Sequence, residues 1–199
     1  MKNRTGILLS GGMDSMALAY WEKPNLAFTI DYGQRCSEAE IETSALLCKE
    51  LQIEHHIIRV DCSSLGSGTL SGNPSLENAP SEEWWPYRNQ LLVTLACMKG
   101  ISLGLKTLYA GSVKPDGDRH TDGKKEFYNI LSSLIEFQEG GIKIEMPAYN
   151  MDTVQLIRHS GIPYSMLLWA HSCHTSDHPC LHCSGCIKNL EVRKVLGID

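Results

Sequence analysis

Two stretches of this chain have residue types and spacing that point to chemistry: Cys173, Cys180, Cys183 and Cys186 near the C-terminus, and "LLSGGMDS" at Leu8–Ser15. Four thiolates with these short spacings can close a tetrahedral site around a structural zinc ion, at Zn–S bonds of about 2.3 Å. A closed S4 shell leaves no position for water, so the ion is expected to stabilise the C-terminal lobe without activating a nucleophile. His171, His174, His178 and His182 crowd the same knot, and most are expected to face solvent or to lie just outside the ligand shell. Two other readings are weaker. A redox pair needs only two cysteines. A zinc-ribbon nucleic-acid binder needs basic flanks, and only Lys188, Arg193 and Lys194 follow the cluster.

The N-terminal stretch reads as a tight turn between a strand and a helix. Bare backbone N–H groups and the positive end of a helix dipole meet at such a turn, which suits phosphate. Gly11 and Gly12 let the backbone approach an anion, and Ser10 and Ser15 offer hydroxyls. Asp14 repels phosphate by itself, which points to a metal-bridged nucleotide or to a helix cap, with Asp14 or Ser15 as the capping residue. The chain has neither GxxxxGK[ST] nor a GxGxxG after a strand, and "GSGTLSG" at Gly66–Gly72 reads as flexible loop. An ordinary strand–turn–helix junction is the bland alternative.

Hydrophobic periodicity supplies the elements that must hold these stretches. "TGILLS", "NLAFTIDYG", "HHIIRV", "KTLYAGS" and "GIKIEMPA" read as five strands, alternating with helices. The helices are "DSMALAYWE", "SEAEIETSALLCKELQ" with Ala39, Ala45, Leu46 and Leu51 near one apolar stripe, "QLLVTLACMKGISLGL", "KKEFYNILSSLIEFQEG", and "MDTVQLIRHSG" with Gly161 as C-cap. Strand–helix alternation predicts an α/β fold, a Rossmann-like parallel five-stranded sheet with helices on both faces and a small C-terminal zinc-binding lobe. Residues 1–165 form the main domain and 166–199 the lobe. Asp61–Trp85 has no sustained period and reads as a lid. Ligands of open sheets sit beyond the carboxyl ends of the strands, where "SGGMDS", "DYGQR", "GSVKPDGDRHTDG" and "PAYNMD" fall.

Composition narrows the partners. With 199 residues and 42% hydrophobic content the chain can bury a core. A net charge of -5 argues against a direct nucleic-acid binder. No apolar run approaches the roughly 20 residues of a membrane span, and "MKNRTG" lacks a signal-peptide core, so a cytoplasmic location without membrane contact is expected.

"ILLSGGMDS" opening an α/β chain resembles the SGGxDS loop of the PP-loop N-type ATP pyrophosphatases, which have the adenine nucleotide alpha hydrolase-like fold. With "DYGQR" at Asp31–Arg35, "PYRN" at Pro86–Asn89 and the C-terminal CxxCxxC, the chain looks like the 7-cyano-7-deazaguanine synthase (QueC) family from Gly6 to about Gly197. The resemblance implies that ATP is cut between its α and β phosphates with Mg2+ at the phosphates. The carboxylate of 7-carboxy-7-deazaguanine becomes an acyl-adenylate, and an amine displaces AMP to give 7-amido- and then 7-cyano-7-deazaguanine.

It places Ser10, Gly11, Gly12, Asp14, Ser15, Asp31, Gln34 and Asn89 at the nucleotide or purine edge, and Arg88 on a carboxylate or phosphate. By position Asp122 takes the role of an acid that accepts from the deazaguanine ring N–H and amino groups, and Lys124 that of a basic residue. The bland readings are a turn residue for Asp31, a helix cap or lid bridge for Arg88, and a solvated charged turn around Asp122. Trp84 and Trp85 either stack on a heterocycle or pack a loop.

The chain departs from the family pattern at Cys36, where a histidine is usual, at Thr153, where a lysine is usual, and in a shorter spacing before CxxCxxC. These differences fit a diverged paralogue. QueC-like proteins of antiphage (CBASS-type) operons join a deazaguanine through an amide to a protein amine, so the acceptor is ammonia or a protein. A tRNA-modifying adenylase and a non-catalytic nucleotide-binding module remain as further alternatives. A homodimer is expected from the resemblance.

Overall fold

The computed structural model describes residues 3–198. Five strands form one all-parallel sheet: β1 (Arg4–Leu8), β2 (Leu26–Asp31), β3 (Glu54–Arg59), β4 (Leu105–Tyr109) and β5 (Lys143–Glu145), in the order β3-β2-β1-β4-β5. The chain runs outward from β1 to β3, then returns to the other side of β1 for β4. The loops after β1 and β4 therefore part company, which opens a crevice at the carboxyl edge of the sheet.

The helices are α1 (Met13–Glu22), α2 (Ser37–Leu51), α3 (Gly68–Ser71), α4 (Arg88–Ser102), α5 (Lys114–Arg119), α6 (Lys125–Phe137), α7 (Thr153–Ser160), α8 (Tyr164–Leu167) and α9 (Ser184–Leu196). Each strand alternates its side chains between two cores. On one face, Ile7 and Ala27 meet Met16 and Leu18 of α1, Leu47 of α2, Leu156 of α7 and Val192 of α9. On the other, Phe28 and Leu108 meet Val93 and Ala96 of α4 and Leu131 of α6. Val192 and Ile198 tie the C-terminal helix into the first core. Among the described residues no helix is long and apolar enough to cross a membrane.

Several local expectations differ from the structure. Helix α1 begins at Met13 with Gly12 at the cap position and no side-chain cap. Ser15 Oγ instead donates to the Gly12 carbonyl at 3.0 Å, and Asp14 faces Lys188. In α2, Ala45 and Leu46 are exposed, and the buried face carries Thr43 and Ser44. Those two hydroxyls donate to the Trp169 and Leu9 carbonyls, so small polar residues occupy positions that a hydropathy stripe gives to leucine. Gly161 ends α7 in the left-handed conformation, as its sequence context suggests. The stretch 61–87 contains the short α3, and it is tied down by Arg35 N–H to Leu70 O and Thr69 N–H to Glu82 O, with Leu70 and Trp85 buried.

Candidate active site

A cavity of about 360 Å³ fills the crevice between the loops after β1 and β4. Its floor is the Ser10–Ser15 turn and the Ala110–Ser112 loop. These two segments come so close that a Cβ on Gly111 would sit 3.4 Å from Ser15 Cα. Gly11 is at φ +71 with Thr43 and the Glu40 carbonyl about 3 Å from any added Cβ, so glycine is needed there on both conformational and steric grounds. Ser10 and Ser15 hydroxyls lie 3.2 Å apart and hold the turn closed.

One end of the cavity is cationic. Arg88, the first residue of α4, lines it beside Asn89, Tyr32, Tyr128 and Glu40. Among the described residues no carboxylate comes within ion-pair distance of its guanidinium, whose Nε donates to Asn89 Oδ1 at 3.4 Å. Burial opposes that charge, but Tyr32, Asp122 and Glu40 nearby more than compensate and keep it protonated. Asn89 is partly spent: its amide donates to the Asp122 carbonyl at 3.1 Å.

Glu40 was not singled out by the sequence. Its carboxylate accepts from Gln34 Nε2 at 2.9 Å and from the Cys36 thiol at 3.4 Å. Burial pushes it up to about 7 against the pull of these donors and of Arg88. Burial and the neighbouring Glu40 push the Cys36 thiol up, which favours its protonated form. A carboxyl raised in the folded state stabilises the fold below its unfolded value near 4.5 and loses that contribution as pH rises through 7. The Glu40→Gln protein is therefore expected to gain on the wild type between pH 4.5 and 7, by as much as about 3 kcal/mol in chemical denaturation. A stability difference that does not change across this range would contradict the assignment.

The C-terminal segment also lines the cavity. Lys188 of α9 donates to Asp14 Oδ2 at 2.9 Å, while Asp14 Oδ1 is buried without a hydrogen-bond partner among the described residues. Asp116 of α5 also lines the cavity, and burial raises its carboxyl despite Lys188 nearby. Glu83, from the 61–87 stretch, is 8% exposed at its side chain and binds Arg119 Nη2 at 2.6 Å. It also accepts from Ser184 Oγ at 3.3 Å, which stitches the loop to α5 and to the start of α9. Burial works to raise Glu83, but His120, backbone donors and Arg119 prevail and hold it at about 2.

The other expected residues lie around this cavity in different ways. Gln34 is buried in the β2–α2 turn, bonded to Tyr32 N, the Ile30 carbonyl and Glu40, and Asp31 caps the same turn through Gly33 N and approaches Arg59 at 3.8 Å. Neither lines the cavity. Asp122 is not among the cavity-lining residues but its charge acts on Arg88 and Tyr128, and Lys124 lines a separate open groove with Lys114, Tyr149 and Asn150. Thr153 is buried at the start of α7, so no cation comes from that position. Trp85 packs edge-on against Tyr32, the loop-packing role of the two considered for the tryptophan pair.

The Cys173, Cys180, Cys183 and Cys186 sulfurs all lie within 4.8 Å of one another. A tetrahedral zinc ion with bonds of about 2.3 Å sets its sulfurs roughly 3.8 Å apart, and Cys180 and Cys186 stand at 3.9 Å. Backbone N–H groups of His174, Cys183 and Cys186 point at the Cys183 and Cys180 sulfurs. Hydrogen bonds from Thr175 and the backbone bring Cys180 down to about 5, whereas burial drives Cys186 up to about 12. A dication lets both lose their protons together, so the donor set fits zinc. His178 and His182 are exposed, as expected of the crowd, but His171 and His174 turn into the cavity wall. The cluster thus adjoins the site.

Residues 4–194 match the family model described as "Queuosine biosynthesis protein QueC". The chain belongs to the QueC family. Proteins named 7-cyano-7-deazaguanine synthase are similar to it along nearly its whole length. The one from Methanosarcina mazei is 26% identical over 96% of this chain and 94% of that protein, and the one from Archaeoglobus fulgidus 29% over 96% and 86%. The Pyrococcus horikoshii protein is 28% identical over 90% and 87%. NMN synthetase from Francisella tularensis superposes with a TM-score of 0.47 at 17% identity, over 99% of this chain and 78% of that one. In this QueC-family chain the cavity joins three segments far apart in sequence: the Ser10–Ser15 turn, the Glu83–Asn89 stretch and the Ser184–Asn189 turn of α9.

Proposed function

We propose that the chain uses MgATP to adenylate the carboxylate of 7-carboxy-7-deazaguanine and passes the acyl group to an amine. It thereby acts as an ATP-dependent carbon–nitrogen ligase that forms AMP and pyrophosphate. The observation that carries this reading is the Arg88 guanidinium, which has no carboxylate ion pair among the described residues, in the same cavity as the glycine turn. A carboxylate resists attack because of its charge. Arg88 is suited to hold it by a forked pair of hydrogen bonds, while the turn's backbone holds the phosphates. One carboxylate oxygen attacks the α-phosphorus, the bond from that phosphorus to the bridging oxygen breaks, and pyrophosphate leaves with the electron pair. An amine then adds to the acyl carbon, loses its proton and expels AMP. The nitrile of the relatives' printed name requires a second activation and loss of the amide oxygen.

In the same reading Ser10, Gly11, Gly12, Asp14 and Ser15 would hold the nucleotide, and Asp14 would offer a carboxylate oxygen to its magnesium. Asp31 and Gln34 shape the neighbouring turn, Asn89 and Asp122 serve the heterocycle, and Lys124 approaches from the outer groove. Residues 1–165 are the ATP-pyrophosphatase domain and 166–199 the zinc-binding lobe, with zinc held by the four cysteines. The test is release of AMP and pyrophosphate from ATP with the acid, with and without ammonia, with products weighed by mass spectrometry. Nitrile with ammonia supports ammonia as the amine. Release that stops at amide or adenylate favours a protein amine, the acceptor of the antiphage-defence relatives, and no acid-dependent release overturns the reading.

A homodimer in the cytoplasm belongs to this reading. Ile130, Leu134 and Phe137 form an exposed stripe on α6, with Phe137 91% exposed. Lys124 and Lys125 stand at the start of that helix beside Glu126, and Glu136 in its last turn and Glu139 just past it. Antiparallel pairing with a second copy sets these charges against their opposites. Leu134→Lys is expected to give a monomer in sedimentation velocity at unchanged melting temperature, and a wild type already monomeric would contradict the pairing.

A further inference from the structure

Three cations border the cavity: Arg88, Arg119 and Lys188. Arg119 is spent on Glu83, and Arg88 stands beside Tyr32 and Glu40. Only Lys188 meets the glycine turn. Its ammonium has three donors, and Asp14 takes one of them. The turn needs the others: Ser10 and Ser15 hydroxyls are turned toward each other, and Asp14 and Asp116 add negative charge where an anion is to sit.

How Lys188 reaches this place matters as much as its charge. Cys183 is the cap residue of α9, and its sulfur accepts the Cys186 N–H at 3.4 Å. Gly185 lies so close to the Ser172 carbonyl that an added Cβ would stand 1.9 Å from it. The first turns of α9 are thus fixed between the cysteine cluster and the cavity wall, and Lys188 lies two residues beyond Cys186.

We infer that Lys188 is a catalytic residue that binds the leaving pyrophosphate, delivered to the glycine turn by the helix that the four-cysteine cluster anchors. The inference rests on reading that turn as the pyrophosphate site. When the bond between the α-phosphorus and the bridging oxygen breaks, the electron pair stays on that oxygen. Charge grows on the β-phosphate, and the ammonium donates hydrogen bonds to it without giving up its proton. Such a donor helps most where charge develops.

The test needs no deazaguanine. Inorganic pyrophosphate with magnesium is titrated calorimetrically into wild type, Lys188→Gln and Lys188→Arg, with AMP as the control and melting temperature measured for each. Pyrophosphate affinity should fall about tenfold or more in K188Q and recover in large part in K188R, with AMP binding unchanged. Equal pyrophosphate affinity in a folded K188Q overturns the inference, as does a loss shared equally with AMP. If K188Q fails to fold, K188R decides: its pyrophosphate affinity within a few-fold of wild type supports a cationic role, and its complete loss beside intact AMP binding overturns the role as stated. Lys188-dependent binding in a wild type that releases no pyrophosphate with the acid keeps this inference and overturns the substrate reading. Acid-dependent turnover with K188Q binding like wild type does the reverse.

Discussion

Replacing Arg88 by Met should lower kcat/KM for the deazaguanine acid by about 10³-fold, with ATP affinity within a few-fold of wild type. The magnitude follows from losing a forked, charge-assisted pair, in which each bond is worth roughly twice a neutral one. The selectivity follows from position. Arg88 lies beside Tyr32, Glu40 and Tyr128, whereas the cation that bonds a residue of the Ser10–Ser15 turn is Lys188. Substrate-dependence assays that vary the acid and ATP in turn check it. A tenfold or greater loss in ATP affinity with the KM for the acid unchanged would move Arg88 to the phosphates.

Cys183→Ser should have the other large effect. Cys183 is both a cluster member and the cap of α9, and α9 carries Ser184, Lys188 and Asn189 into the cavity and Val192 into the first core. Losing the site should therefore cost folding free energy of several kcal/mol and also lower pyrophosphate release by about 10²-fold or more at temperatures where the sheet stays folded. Zinc content by metal analysis, melting temperature and pyrophosphate release together check it. A variant that melts early yet releases pyrophosphate at the wild-type rate below its transition would reduce the cluster to a remote staple, the role its spacing alone suggests.

That contrast shows where the sequence was readable. The five strands, the glycine turn and the cysteine cluster are each written within a few residues, because a strand's alternation, a turn's glycines and a chelate's spacing are local constraints. Lys188, Glu83, Asp116 and Glu40 left no such trace. Lys188 meets Asp14 across 174 positions and Glu83 meets Ser184 across 101, so their roles come from the packing of α9 and the loop onto the sheet edge. The one visible hint was charge: Lys188 is the first basic residue after the cluster. The α2 stripe misled for the opposite reason, since Thr43 and Ser44 are buried to satisfy carbonyls and no hydropathy pattern marks them. The resemblance assigns Asp122 and Lys124 by position alone, and the turn around them carries no local constraint of the kind that marks the strands or the cysteines.

Oxygen tracing tests the central claim, adenylation of a carboxylate, most directly. The deazaguanine acid labelled with ¹⁸O in its carboxylate is turned over with unlabelled ATP and ammonia, and AMP and pyrophosphate are weighed. When an amine expels AMP from an acyl-adenylate, the bridging oxygen that came from the carboxylate stays on AMP. The account predicts one ¹⁸O in AMP and none in pyrophosphate. Label in pyrophosphate, or AMP formed without label while product accumulates, would contradict it.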